Sequence, residues 1–142
     1  MEHKELAVKC FNEAWNYIDK AELTMEEKAE LLHLVHTSRY HWGEAGTIMH
    51  KVRGEWQISR AYVKTGFFEA ALMHGELCLE LSKTGELGSF DLAFAYEAIA
   101  RAKSHLDLPY DEDYELAMKY ALLLESDDDK EYTIGEIKSI RG

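Results

Sequence analysis

Three groups of residues in this chain have the types and spacing to do chemistry. Arg53, Trp56, Gln57, Arg60 and Lys64 recur at intervals of three, four and seven, so on a helix they share one face. Arginine offers forked donors to a carboxylate or phosphate, and tryptophan offers a flat surface to stack on. That strip suits an anionic ligand with an apolar part. His33 and His36 stand one helical turn apart, and His41 follows. Two imidazoles so spaced chelate a divalent ion when a third ligand comes from another helix. Glu55, Glu97 or His74 would be that ligand. His36 or His41 with Glu55 or Glu97 could do acid–base work. Finally, Ser38-Arg39-Tyr40-His41-Trp42 is the densest polar-aromatic cluster of the chain. If Trp42, Trp56 and Tyr96 converge there, with His41 alongside, they line a pocket.

Each group also has a purely structural reading. The cations can pair with carboxylates of neighbouring helices, as Glu97 and Arg101, four apart with Glu first, are spaced to do. The histidines can sit hydrogen-bonded at packing edges, and Tyr40 and Trp42 can staple a loop to the core. The sequence holds no GxSxG, no HExxH and no Gly-rich phosphate loop, and no catalytic residue is assigned.

The elements that must position these groups are helices. No segment alternates with the period of a strand, and apolar residues recur at helical spacing in seven stretches. The first spans about 2–20, with Leu6, Cys10, Ala14 and Tyr17 on one stripe and Val8, Phe11, Trp15 and Ile18 on another. Thr24 and Glu27 form a capping box for the second, whose apolar positions include Met25, Ala29, Leu31, Leu32, Leu34 and Val35. Gly43 and Gly46 punctuate its end. The third runs 47–65 from a Thr47 cap, and Gly66 separates it from the fourth, 67–81. Ser89 caps the fifth, 90–105. The sixth covers about 112–125. A short seventh, 130–140, follows the acidic run Asp127-Asp128-Asp129, which the positive end of a helix dipole favours. Breaks this short make neighbours antiparallel. Helices two, four and five are apolar on more than one stripe, as layers between other layers must be.

The bulk properties narrow the function. One hundred and forty-two residues make about one domain, with 46% hydrophobic and 30% charged residues. The net charge of −11 repels phosphate backbones, so nucleic acid is not the expected partner. No stretch approaches a membrane span, and no signal peptide opens the chain. Cys10 and Cys78 lie in apolar helical patterns without a CxxC neighbour, the pattern of small buried hydrophobes in a reducing cytoplasm.

Residues 55–79 resemble a tetratricopeptide repeat. Ile58, Ser59 and Tyr62 stand at its Leu-Gly-Tyr sites, Gly66 at the turn glycine, Phe68 at the turn aromatic, and Ala71 and Cys78 at the small contact sites. Ser59 and Ala71 would let two helices approach closely, while Tyr62 and Phe68 fill the wedge. Glu55, Gly75 and Lys83 depart from the pattern, and Trp56 comes one residue late. The small anchors Ala29, Ala71 and Ala117 are further apart than that repeat's period and also suit a HEAT-like unit. The resemblance implies a single all-α domain over 1–142, a right-handed stack of helix hairpins. It implies that Arg53, Trp56, Gln57, Arg60 and Lys64 face a concave groove, beside an apolar wall of Val8, Phe11, Trp15 and Ile18. The expected function is a protein- or peptide-interaction module for an acidic or carboxylate-bearing ligand, with no cofactor. The alternative is a small helical metal protein or enzyme using His33, His36 and His41. A third reading is a homodimer packed through Tyr132, Ile134, Ile137 and Ile140.

Overall fold

The computed structural model describes residues 1–142 and contains seven α-helices and no strand. They are α1 (His3–Ile18), α2 (Met25–Ala45), α3 (Ile48–Thr65), α4 (Phe68–Thr84), α5 (Ser89–His105), α6 (Asp111–Leu122) and α7 (Asp127–Lys138), followed by a 3₁₀ turn at Ser139–Arg141. None is long and apolar enough to cross a membrane.

Local chemistry sets most helix ends. At the start of α2, the Glu27 amide donates to Thr24 Oγ1 at 3.2 Å and the Thr24 amide to Glu27 Oε1 at 3.0 Å, the expected capping box. Gly66 closes α3 in the left-handed region, φ 90°, where a Cβ would be strained. The Phe67 amide then reaches back to the Tyr62 carbonyl at 2.8 Å, a Schellman closure. Ser126 caps α7, ahead of the three aspartates in its first turn. Other ends depart from expectation. Gly43 lies inside α2, which runs on to Ala45, and Ser89 is the first residue of α5 rather than its cap. Helix α4 continues to Thr84, because Ser82 and Thr84 bond back to the carbonyls of Cys78 and Glu80 instead of breaking the turn. Helix α6 stops at Leu122, and Leu122 and Leu123 stay exposed.

Consecutive helices pack as antiparallel hairpins. Alternate helices behave unequally. Helices α1 and α3, α3 and α5, and α5 and α7 touch, whereas α2 and α4, and α4 and α6, have no close backbone contact. The odd-numbered helices therefore draw together as an inner, concave layer, and the even-numbered helices splay as an outer one. Helix α5 is the axis of the second half, meeting α3, α4, α6 and α7. Its buried alanines at 93, 95, 98, 100 and 102 let neighbours approach from several sides. Gly75 serves the same end: a Cβ there would lie 3.3 Å from the Ile99 amide nitrogen. Its departure from the repeat pattern is the close crossing of α4 over α5.

Leu31, Val35 and Ile58 anchor the core between α1, α2 and α3, while Ala117, Ala121 and Ile137 anchor the core around α5. Each large buried aliphatic side chain contributes about 2 kcal/mol. Ser59 and Ala71 are buried at the α3–α4 crossing, and Ser59 Oγ donates to the Ala71 carbonyl at 2.7 Å. Two expected packing residues are elsewhere. Ala29 and Met25 are exposed, and the close α1–α2 crossing uses Ala7 and Ser38, whose hydroxyl donates to the Ala7 carbonyl at 2.8 Å. Phe68 stacks on His105 at 4.4 Å, so Phe67 is the residue that meets Tyr62.

Candidate functional site

The four odd helices converge on two adjoining cavities. One, of about 280 Å³, is walled by Phe11 and Trp15 of α1, Val52 and Trp56 of α3, and Phe90 and Phe94 of α5. The other, of about 460 Å³, is polar and holds Arg60 and Lys64 of α3, Arg101 of α5 and Glu136 of α7. Trp15, Trp56 and Tyr132 line both, forming a shared partition. The apolar cavity has the size of one large side chain, below that of a typical small-molecule site.

Aromatic geometry holds the partition. The Trp15 and Trp56 rings lie 5.7 Å apart, and Phe94 meets Trp56 edge-on at 5.4 Å. Trp56 Nε1–H donates to Glu97 Oε2 at 3.1 Å, which fixes the indole and satisfies its one polar group. Beneath the polar cavity Glu97, 1% exposed, also accepts from Arg60 Nη1 at 2.9 Å and from Arg101 Nε at 3.1 Å. A carboxylate so deeply buried is tolerated only when its lone pairs are filled in this way. Arg60 reaches further, to Glu136 Oε2 at 3.2 Å. Burial, and then the Glu136 carboxylate, push the Tyr132 phenol above its ordinary value.

The cationic strip is thus not a free one. Arg53 Nε donates to Asp91 Oδ1 at 3.1 Å, Arg60 is shared between Glu97 and Glu136, and Lys64 Nζ donates to the Lys20 carbonyl. Gln57 does not join it. Fully buried between α1 and α3, its Nε2 donates to the Phe11 carbonyl at 2.9 Å and its Oε1 has no partner. Periodicity put it on the strip's edge, and the close approach of α1 took it into the core. Val8 lies outside both cavities, 40% exposed.

The pocket expected from Trp42, Trp56 and Tyr96 does not form. Trp42 stacks on His50 at 4.1 Å at the α2–α3 turn, and Tyr96 stacks on Tyr120 at 6.0 Å between α5 and α6. His41 pairs instead with His3, Nδ1 to Nδ1 at 2.7 Å. The trio His33, His36 and His41 does not assemble either, and no three His, Cys, Asp or Glu side chains come together as a metal site. What forms is a second polar network on the outer side of α3. Glu55, 4% exposed, accepts from Arg39 Nε at 2.8 Å and from His74 Nδ1 at 2.6 Å. His74 lies 5.6 Å from both the Tyr62 and the His36 rings, and His36 Nε2 meets Tyr62 Oη at 2.8 Å. Burial, reinforced by His74, holds His36 below the ordinary imidazole range.

Neither thiol is set up as a nucleophile: burial raises both Cys10 and Cys78. Phe90, Phe94 and Glu136 escaped the sequence reading, and Tyr132 entered it only as part of a dimer face, although the signal was present. Phe90, Phe94, Glu97 and Arg101 repeat the spacing of the α3 strip, and Tyr132 and Glu136 are one turn apart. Comparison with protein-family models, curated proteins and solved structures finds no match for this chain.

Proposed function

We propose that this chain is an interaction module of the helical-repeat type, taking a peptide that carries a carboxylate beside a bulky apolar group. The observation that carries this reading is the shared partition of Trp15, Trp56 and Tyr132, with an apolar cavity on one side and Arg60, Lys64 and Arg101 on the other. Rigid aromatic anchors beside oriented guanidinium groups are what peptide-binding faces use for energy and register. The groups are preorganised. Glu97 holds both arginines and the Trp56 indole, so a ligand loses little of its binding energy to ordering them.

A library of short peptides with free C-termini tests the reading against immobilised protein. Enriched peptides should carry a large apolar residue and a carboxylate. They should lose at least about ten-fold in affinity with Lys64→Glu, a rim charge reversal, which leaves the Glu97 ion pairs in place. The absence of enrichment, or enriched peptides indifferent to that variant, would contradict the proposal.

A further inference from the structure

The charges in the polar cavity do not divide evenly between buried and accessible groups. Glu97 is 1% exposed and receives Trp56, Arg60 and Arg101. One carboxylate therefore answers two guanidinium groups, leaving one positive charge in the buried layer. The group that balances it is Glu136 on α7. Its side chain is 25% exposed, and its Oε2 lies 3.2 Å from Arg60 Nη2 and 4.0 Å from Arg101 Nη2. Glu136 thus holds a position that a ligand carboxylate could take over, at the mouth of a cavity rather than beneath it.

Position also constrains the ligand. The apolar and polar cavities share Trp15, Trp56 and Tyr132, and the Arg60 guanidinium carbon stands 6.0 Å from the Trp56 ring centre. A ligand seated over the rim of this partition would meet Arg60 on one side and the apolar cavity on the other. Only a C-terminal residue bears a main-chain carboxylate on the same Cα as its side chain.

We infer that the groove receives a peptide C-terminus with a bulky apolar last residue, and that its carboxylate displaces Glu136 from Arg60. This rests on the groove reading above. In the free protein Glu136 neutralises the excess charge and acts as an internal competitor. A ligand must therefore bring both its carboxylate and its side chain to win the site. The Arg101 Nη2 bond to the Glu136 carbonyl at 2.9 Å uses main chain and survives side-chain substitution, so α7 stays docked when the carboxylate is replaced.

The test compares wild type with Glu136→Gln in titrations followed at the Trp15 and Trp56 indole N–H resonances. The probes are N-acetyl-phenylalanine, its carboxamide, and N-acetyl-Phe-Glu-amide, which offers a side-chain carboxylate instead. The account predicts that N-acetyl-phenylalanine binds, that Glu136→Gln tightens it about five-fold by removing the competitor, and that the two amides bind at least ten-fold more weakly. Equal affinity for the two proteins would overturn the displacement of Glu136 while leaving the groove intact. Comparable binding of N-acetyl-Phe-Glu-amide would overturn the C-terminal assignment. Binding of no probe to either protein would overturn the groove reading together with this inference.

Discussion

Helix α3 separates two polar networks, each built on a buried glutamate, and they are solved differently. On the outer side Glu55 is held by Arg39 and His74; on the inner side Glu97 is held by Arg60, Arg101 and Trp56. Both carboxylates must be paired to exist at such depth. Glu55 is answered by one guanidinium and one imidazole, Glu97 by two guanidinium groups and an indole N–H. The outer network also meets His36 and Tyr62 but borders no large cavity, whereas the inner one is roofed by the aromatic partition and opens into space. Similar chemistry thus serves two ends: the outer network fastens α2, α3 and α4 together, and the inner one fastens α3 and α5 while presenting oriented donors.

Removing each glutamate should expose that difference. Glu97→Ala leaves the Trp56 N–H without its acceptor and two guanidinium groups sharing the one Glu136 carboxylate, and should cost about 3–5 kcal/mol in denaturant unfolding. Glu55→Ala should cost less, about 1–3 kcal/mol, because it leaves a single guanidinium group without its carboxylate, and Arg39, 24% exposed, can turn toward water. Equal losses would mean that partner type does not matter.

Acid should separate the networks next. His36 is held below its ordinary value of about 6.5, so between that value and its folded one the unfolded chain binds more protons. Its contribution is therefore complete above about pH 6.5 and is lost as the pH falls. His105, lowered by burial and then by Arg101, adds a change of the same sign. Unfolding midpoints measured between neutral and mildly acidic pH should fall, and His36→Gln should flatten part of that slope. The smallest expected effect belongs to Gln57→Leu. It removes a buried acceptor without a partner together with one donated bond, and these oppose each other to within about 1 kcal/mol. A large loss would mean that Oε1 bonds a buried water.

The helices and the hairpin stack were legible because period, caps and turn glycines act locally: Thr24 with Glu27, Gly66, and the Asp127–Asp129 run. Arg60, Trp56 and Lys64 on one face followed from helical arithmetic. Pairings between distant helices did not follow. That Trp42 meets His50 rather than Trp56 is set at the α2–α3 turn, that His41 meets His3 by the pairing of α1 with α2, and that Glu136 reaches Arg60 by the docking of α7 on α5. Gln57 shows the limit most clearly, since one step around the helix separates the cavity from the core.

The central claim, that the inner face binds while the outer network is structural, is tested most directly by mapping amide and side-chain shifts during titration with a short peptide ending in phenylalanine with a free carboxylate. The account predicts shifts at Trp15, Trp56, Arg60, Arg101 and Tyr132, with His36, Tyr62 and His74 unmoved. Shifts centred on His36, Tyr62 and His74 would contradict it and move the binding site to the outer side of α3.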